Sequence, residues 1–428
     1  MNDPDDLRIR AWSPGGLSLL PDSLFYSPGR MVAKVMTEAT GMGKPDSDDV
    51  MSDLEASGVR ELRVEIGYAE ETIDIAGSPS EMETLFELMN RQFTAPRLDS
   101  AALATWANLA KYQPRPVNIH DLFNQIFARG NRRLLPVQTM AAQAAKVEQM
   151  RAVHRHRFGN AGDFTFIIVG AASSEEVRPL VERYLASLPS KGPDVEREVP
   201  DDPEVAPFIG TNRTRRKVLP FPRTDVLLTF DGKFSTEPEN YLRERQRLEA
   251  LALVLERRLR YRLREEIAGT YGVGVDARTY RLYDEHFRVM INYQAAPELA
   301  DDMDEALFEI LDAVREEGAT PDELEIVTAV QRRRLEAALQ YNGYWMQQLE
   351  LYHRLGLPID KIVSPYPTNG FWALTPTDLK EAAQAYLPKN AYVHIMQFPK
   401  DDVKPRFASD EKDEVNDTKK KADSGEAQ

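Results

Sequence analysis

The stretch that organises the second half of the chain is Leu263-Arg264-Glu265-Glu266-Ile267-Ala268-Gly269-Thr270-Tyr271-Gly272-Val273-Gly274-Val275. It closes a segment, starting near Pro238, in which apolar residues recur every three or four positions. This pattern predicts one long helix to Glu266, a turn at Gly269 and then a strand. Tyr271 follows Arg264 by seven residues across that turn. The stripe expected to pack on a sheet comprises Leu248, Ala252, Leu255, Leu259 and Leu263.

The residue pattern alone assigns ordinary roles to Arg264 and Tyr271. Arg264 lies off the apolar stripe, as do Arg257 and Arg260, which favours a solvated or ion-paired side chain. Glu256 stands four residues before Arg260, a spacing that permits an ion pair. Tyr271 by itself would be a half-buried aromatic of a strand. A functional role for either residue therefore needs support beyond periodicity.

Composition bounds the kind of protein. The chain has 428 residues, 54 basic against 69 acidic side chains, and a net charge of -15. Its length predicts two domains of roughly 200 residues each. Its charge argues against nucleic acid and anionic lipid as partners. It has no cysteine, so disulfides, thiolate nucleophiles and Cys-type zinc sites are excluded, and cysteine usage says nothing about the compartment.

The sequence predicts an α+β fold with two units. Seven prolines between residues 189 and 222 favour an extended linker, with a boundary near residue 210. The expected division is a first unit at 1–190, a linker at 191–222 and a second unit at 223–400. Large apolar residues almost vanish after Pro399, so 401–428 are expected to be a disordered charged tail. The first thirty residues contain no apolar run long enough for a signal peptide or a membrane span.

Local signals place the elements. Several predicted strands adjoin without room for a crossover helix, so the sheets should be largely antiparallel. A hydroxyl, a proline and a carboxylate mark helix starts at Ser78, Thr320 and Thr375. The predicted strands are 7–13, 59–67, 70–76, 163–170, 224–231, 271–278, 286–294 and 391–398.

Two short matches indicate an internal duplication. Leu85-Phe86-Glu87-Leu88 and Leu307-Phe308-Glu309-Ile310 each lie in a predicted helix, 222 residues apart. Each half also closes with a helix leading into an apolar strand, and the strands starting at Phe164 and Tyr392 are 228 residues apart. A near-constant spacing is typical of a repeated unit.

Motifs along the chain resemble the insulinase (pitrilysin) family of zinc metallopeptidases. The C-terminal signature of that family is matched between Leu259 and Val275, where Arg-Tyr-Arg-Leu-Arg-Glu-Glu precedes Gly-Thr-Tyr-Gly-Val. The resemblance covers residues 7 to 400, in the order of the third and fourth domains, the C-terminal half, of the long bacterial members. The other matching motifs are Ser13-Pro14-Gly15-Gly16, Phe93-Thr94-Ala95-Pro96-Arg97, Asp163-Phe164-Thr165-Phe166, Tyr184-Leu185-Ala186-Ser187-Leu188-Pro189 and Asn342-Gly343-Tyr344-Trp345.

The resemblance implies a substrate-binding role for Arg264 and Tyr271. Family members hold a peptide between two halves, with zinc and the general base in the first half. In their last domain an Arg and a Tyr, seven residues apart, contact the substrate backbone. Arg264 and Tyr271 match this spacing, and both can donate hydrogen bonds to a carbonyl or to the oxyanion formed during hydrolysis. The implied partners are a peptide or unfolded polypeptide and a zinc-bearing domain.

The zinc half of the family pattern is missing from this sequence. The motif H-x-x-E-H, whose two His bind zinc and whose Glu activates water, does not occur among the six His. The helix predicted from Leu24 to Gly41, where a catalytic unit has its zinc helix, contains no His. His154 and His156 are two apart on a predicted helix and face different ways, so we interpret them as surface or packing residues. No zinc site and no peptidase activity are expected of this chain alone.

Two further features are ambiguous from sequence. The family unit opens with a strand ahead of the one predicted at residues 7–13, so the first unit is expected to lack its first strand. We expect either that Met1 is an internal start or that this is the C-terminal portion of a chain about twice as long. Tyr344 and Trp345, near Tyr341 and Tyr352, could form a peptide-facing wall, or they could pack between domains.

Three hypotheses remain from the sequence. The chain is the substrate-binding half of a zinc endopeptidase, a non-catalytic scaffold of the same family, or an inactive fragment. The match at Arg264 and Tyr271 favours the first hypothesis. The compartment is unknown, and the periplasm would require a signal on a longer precursor.

Overall fold

The computed structural model describes residues 3–25, 27–39, 54–104, 118–128, 146–192, 210–234, 237–281, 285–362 and 373–403. Within these ranges two sheets carry helices on their faces, which is the α+β architecture that the sequence predicts. The predicted tail falls almost entirely outside the described residues.

The first sheet has four antiparallel strands in the order β2-β3-β1-β4. All four were predicted from their β-branched and aromatic residues. Their bounds are β1 Leu7–Pro14, β2 Val59–Ile66, β3 Glu70–Gly77 and β4 Thr165–Val169.

The second sheet has five strands in the order β5-β9-β6-β8-β7. Its pairs are antiparallel except that of β5 with β9, which is parallel. The four predicted strands are again present. The bounds are β5 Thr211–Leu219, β6 Thr224–Lys233, β7 Val273–Arg281, β8 Glu285–Ala295 and β9 Tyr392–Pro399.

Strand β5 corrects the predicted extent of the linker. Residues 211–219 were assigned to the linker at 191–222, but they pair with β9. Two prolines, Pro220 and Pro222, lie after this strand, so they do not interrupt its hydrogen bonds. An edge position also suits the polar sequence of β5, most of which is exposed or half-buried. Residues 193–209 lie outside the described part of the chain.

The helices surround both sheets. In the first part of the chain they are α1 Asp22–Phe25, α2 Ser27–Ala39, α3 Met82–Thr94, α4 Ile119–Ala128, α5 Val147–Phe158 and α6 Ser174–Leu180, which continues as a π-helix over Val181–Leu185. In the second part they are α7 Pro238–Leu259, α8 Ala300–Glu317, α9 Pro321–Ala338, α10 Asn342–Leu355 and α11 Pro376–Tyr386. Short 3-10 turns span Gly16–Leu19, Pro79–Glu81, Ala161–Asp163 and Ile359–Lys361.

The predicted helix starts are confirmed, with one adjustment. Thr320 and Thr375 form capping boxes with Glu323 and Asp378 at the starts of α9 and α11. Ser78 instead caps the 3-10 turn that leads into α3, where its hydroxyl accepts from the Ser80 amide.

One face of each sheet carries the apolar core of its own part of the chain, and the opposite face is covered by a helix from the other part. Helix α4 packs Leu122, Phe123 and Phe127 against Leu227 of β6 and Ile395 of β9. Helix α10 lies on β1 and β4 of the first sheet. This reciprocal exchange joins the two parts, while separate apolar cores fill the other face of each sheet.

A fully buried ion pair fixes the corner of the first sheet. Arg157 on α5 and Glu71 on β3 have no exposed side-chain area, and their closest nitrogen and oxygen atoms are 2.5 Å apart. Glu71 also accepts from the Gly16 amide at 2.7 Å. Gly16 has φ 58°, and a Cβ there would overlap the backbone of Gly67, which explains the Gly15-Gly16 motif.

Candidate functional site

The Arg264–Tyr271 segment starts where a long helix changes its winding. Helix α7 ends at Leu259 and continues as a π-helix over Arg260–Glu266. The predicted apolar stripe is buried along its whole length, down to Leu263. Such π-helical turns are frequent at functional sites because they widen the helix and re-aim its side chains.

Two residues close this segment and turn the chain towards β7. The sequence predicts the turn at Gly269, but the residue in the left-handed conformation is its neighbour Ala268, with φ 56°. Gly269 is needed for a different reason, since a Cβ there would overlap the Met303 side chain. Beyond it, the hydroxyl of Thr270 accepts from the Gly272 amide at 3.2 Å and so fixes the loop that presents Tyr271.

Tyr271 is 96% exposed. The interpretation from pattern alone, a half-buried strand aromatic, is therefore wrong. The physical reason is that β7 begins at Val273, so Tyr271 belongs to the preceding turn and has no sheet to pack on.

Arg264 is likewise exposed, over 52% of its side chain. Its one ion pair with a described residue is to Glu265, with 3.7 Å between Nε and Oε1, which is too long for a hydrogen bond. Neighbouring cations are held more closely. Arg260 pairs with Glu256 at 2.5 Å, as predicted, and Arg262 pairs with Glu266 at 2.8 Å.

A free strand edge follows Tyr271 in the chain. Strand β7 begins two residues after Tyr271 and pairs with β8 on one side only. In the described part of the chain no strand lies on its other edge. Unpaired amides and carbonyls on such an edge can hydrogen-bond to an added strand.

The helix predicted at the place of the zinc helix is structural. Helix α2 buries Met31, Val32, Val35 and Met36 in the core of the first sheet. Among the residues that the structure describes, no group of three or more His, Asp or Glu side chains could hold a metal ion.

His154 packs inside the first part of the chain. Its ring stacks on Phe158, and its Nε2 lies 2.7 Å from the Gln92 carbonyl. Burial lowers the pKa of His154, so the imidazole stays neutral near neutral pH. His156 lies at the surface, so the predicted surface or packing roles are confirmed.

Tyr344 and Trp345 lie on α10. Trp345 packs against Ile167 and Val169 of β4, and its Nε1 donates to the Leu339 carbonyl. This is the contact expected from packing between the two parts of the chain. Tyr344 lines a cavity beside α7, and its role in a peptide-facing wall stays a prediction.

One cluster had no signal in the sequence. The Arg288 guanidinium on β8 lies over the rings of Phe123, Phe127 and Tyr280, each within 5 Å of the ring centre. It also forms an ion pair with Asp231 at 2.6 Å. Burial raises the pKa of Tyr280, whose hydroxyl donates to Asp231. Since α4 is distant in sequence, only the fold brings these residues together.

Among the described residues, no helix has the length and apolar character needed to cross a membrane.

Comparisons with known proteins connect this geometry to a family. Residues 144–329 match the family model described as the peptidase M16 inactive domain. The chain is 23% identical over 359 residues to a probable zinc protease, PqqL, of Haemophilus influenzae, covering 80% of this chain and 37% of that protein. It thus spans less than half the length of that relative.

Solved structures show the same fold. A peptidase M16 inactive domain from Pseudomonas fluorescens superposes with a TM-score of 0.73 at 16% identity, covering 95% of this chain and 96% of the other. The periplasmic protease PqqL from Escherichia coli superposes with a TM-score of 0.69 at 17% identity, covering 93% and 43%. The resemblance drawn from the sequence is confirmed: residues 144–329 match the peptidase M16 inactive domain, and the chain is similar in sequence to a probable zinc protease and in fold to M16 family structures.

Proposed function

We propose that this chain is the substrate-binding half of an insulinase-like zinc metalloendopeptidase. The observation that carries the proposal is the exposure of Arg264 and Tyr271, with Tyr271 two residues before β7, an edge strand of the second sheet. Neither side chain is held by a close partner among the described residues, so both donors are available to a ligand. Relatives matched by this chain include proteases that act on proteins, such as a ferredoxin protease solved with Arabidopsis ferredoxin.

In this proposal the two side chains stabilise charge on the substrate. The guanidinium of Arg264 and the phenol of Tyr271 donate hydrogen bonds to the carbonyl of the scissile peptide. The same donors stabilise the oxyanion that forms when water attacks. Removing such a donor typically lowers turnover by about 10²–10³-fold.

Zinc and the general base would come from an H-x-x-E-H domain, either on the same polypeptide or on a partner. The bound metal would supply the activated water. The residues of this chain would bind and orient the peptide. The periplasm is the proposed compartment because the relative from Escherichia coli is a periplasmic protease.

Peptide recognition would use backbone as well as side chains. An extended peptide could add to the outer edge of β7, with main-chain hydrogen bonds setting its direction. Arg264 and Tyr271 would then stand at the start of that edge. This arrangement depends little on substrate sequence.

We further infer that the two sheets are units of a duplicated chain, divided near residue 210. The first unit would hold β1 to β4 and the second β5 to β9, each with its own core. Limited proteolysis tests this division. Cleavage is expected first between residues 193 and 209, and initial cuts inside either sheet would contradict it.

A binding titration tests the function. A fluorescein-labelled, unfolded casein peptide is titrated with the full chain by fluorescence anisotropy. The double variant Arg264→Ala/Tyr271→Phe should bind about 10–100-fold more weakly, since it loses hydrogen bonds from a charged donor and a phenol.

The matched control is Arg262→Ala/Tyr261→Phe, which changes the same residue types on the π-helical segment that carries Arg264; Tyr261 is 62% exposed. The control should bind like the unaltered chain. Equal losses in both variants would contradict a specific role for Arg264 and Tyr271.

The alternative is a non-catalytic scaffold, favoured by the match to a family described as inactive. It predicts that Arg264→Ala/Tyr271→Phe leaves the function of the assembly intact. Elemental analysis adds a separate test, because the purified chain should contain no stoichiometric zinc. One zinc per chain with chelator-sensitive cleavage would contradict both hypotheses.

A further inference from the structure

An open cavity of about 240 Å³ lies where α7, α9 and α10 meet. Part of its lining is apolar. Leu242 and Leu253 of α7 and Leu335 of α9 are all half-buried, so each keeps apolar surface that solvent can reach. Removing such surface from water is favourable. The cavity therefore favours a ligand with an apolar body.

The charged side chains of the lining do not cancel. Two cations line the cavity, Arg245 and Arg334, but only one carboxylate, that of Glu249. Arg245 pairs with Glu249 at 3.0 Å. Arg334 has no ion pair with any residue that the structure describes. The lining thus has an excess of one positive charge, in a chain whose net charge is -15.

The sequence explains why Arg334 lacks a partner on its own helix. Ion pairs along a helix form between residues three or four positions apart. At these distances from Arg334 lie residues 330–331 and 337–338, none of which has a carboxylate. Arg332 differs, because Glu336 follows it by four residues. The guanidinium of Arg334 therefore keeps its donors for an acceptor outside α9.

Two neutral donors line the same cavity. The side chains of Tyr344 and Gln348, four residues apart on α10, make no hydrogen bond to a described residue. Burial raises the pKa of Tyr344, so its phenol stays protonated and can donate at neutral pH. Carboxylate oxygens only accept hydrogen bonds, so a carboxylate matches these donors and the guanidinium of Arg334 together.

Volume sets the size of the apolar body. An apolar cavity of roughly 150 Å³ binds benzene. The larger volume here holds a body of about that size together with a carboxylate. One negative charge on the ligand also equals the excess positive charge of the lining.

We propose that this cavity binds a monocarboxylate with an apolar body, whose carboxylate pairs with Arg334 and whose body contacts the three leucines. Such a ligand is either the C-terminal residue of a peptide, when that residue is apolar, or a free organic acid. The inference does not rest on the proposed function, since neither Arg264 nor Tyr271 lines the cavity.

The experiment compares an acid with its amide on the full chain. N-acetyl-leucine and N-acetyl-leucinamide are titrated separately and followed by ligand-observed NMR. The acid should bind about tenfold more tightly, because hydrogen bonds between two charged groups are stronger than those to a neutral amide. A third probe, isocaproate, keeps the apolar body and the carboxylate but lacks the acetylated amine. Weaker binding of isocaproate than of N-acetyl-leucine would identify a peptide C-terminus as the source, and equal or tighter binding a free acid.

Two arginines of α9 separate a specific contact from general attraction. Arg334→Met keeps the apolar stem but loses the guanidinium, so acid and amide should bind with equal affinity. Arg332→Met is the matched control, because Arg332 is exposed on the same helix and does not line the cavity. This control should keep the tenfold preference. Circular dichroism checks that both variants are folded.

A third variant tests the position of the apolar body. Ala338→Phe fills the cavity from a half-buried position and should abolish binding of acid and amide alike. The proposal is overturned if N-acetyl-leucine binds no better than its amide, if neither acid binds, or if Arg332→Met and Arg334→Met lose the preference equally.

Discussion

The two sheets share four strands in the same order but differ in what surrounds them. Strands β1 to β4 and β6 to β9 follow the same sequence of antiparallel pairings. Among the residues that the structure describes, only the second sheet has a further strand, β5, on its outer edge, and an exposed Arg and Tyr pair precedes the strand at its opposite edge, β7. The equivalent edge strand of the first sheet is β2, and the sequence just before it contains no such Arg and Tyr pair. Repetition of the fold therefore does not repeat the site.

The contacts between the two parts also differ in chemistry. Helix α10 is held on the first sheet by apolar packing of Met346 and Trp345 and by an ionic contact, in which Arg10 on β1 donates to Glu350. Helix α4 is held on the second sheet by apolar side chains and by Arg288 lying over Phe123 and Phe127. The same topological exchange is thus stabilised in two ways.

A third difference concerns the contact between a helix and the strands β3 and β8, which occupy equivalent positions in the two sheets. In the first sheet the contact is the buried Arg157–Glu71 pair. In the second sheet Phe287 of β8 meets Tyr386 of α11, with ring centres 4.9 Å apart. The ionic contact is the more vulnerable one, because loss of either partner leaves a buried charge.

The largest effect is expected from Arg157→Met. It removes the cation that pairs with the buried Glu71 carboxylate, which should lower the free energy of unfolding by about 3–5 kcal/mol. Urea denaturation measures the change. Arg183→Met is the matched control, because the Arg183–Glu83 pair is exposed and should contribute less than about 1 kcal/mol. Equal effects of the two substitutions would contradict the importance of burial.

A smaller effect is expected from Arg288→Lys. Lysine keeps the charge near Asp231 but loses the planar group stacked on the three rings. The variant should unfold about 1–2 kcal/mol more easily, as estimated for a desolvated cation over aromatic rings. Thermal unfolding monitored by circular dichroism checks this. A variant as stable as the unaltered chain would show that apolar packing alone holds α4.

The ionic contact of α10 should respond to pH. Burial raises the pKa of Glu350 above its ordinary value of 4.5, despite the nearby Arg10. The folded state therefore binds the proton more tightly than the unfolded state, and stability falls as pH rises through the raised pKa. Relative to Glu350→Gln, the unaltered chain should gain stability as pH falls from neutral towards 4.5. Urea midpoints at several pH values test this, and the opposite slope would contradict it.

The smallest effect on stability is expected at the candidate site. Arg264→Ala/Tyr271→Phe changes two exposed side chains without close partners among the described residues. The free energy of unfolding should change by less than about 0.5 kcal/mol. A larger loss by urea denaturation would mean that these side chains support the fold rather than a ligand.

Much of this fold could be predicted from local pattern. Eight strands and the caps at Thr320 and Thr375 follow from residue types that act within a few positions. Strand β5 escaped prediction because it is polar and lies at an edge, where burial imposes no apolar alternation. The Arg157–Glu71 pair escaped because its members are 86 residues apart.

The candidate site was predictable only in part. Spacing and family resemblance identified Arg264 and Tyr271, but the exposure of Tyr271 depends on where β7 begins.

The most direct measurement is hydrogen exchange by mass spectrometry on the full chain, with and without a saturating unfolded casein peptide. The two equivalent edge strands, β2 at Val59–Ile66 and β7 at Val273–Arg281, serve as internal controls for each other. Peptide should slow exchange across β7 and the preceding turn and leave β2 unchanged. Protection of β2 alone, or of neither strand, would contradict the assignment of substrate binding to the second sheet.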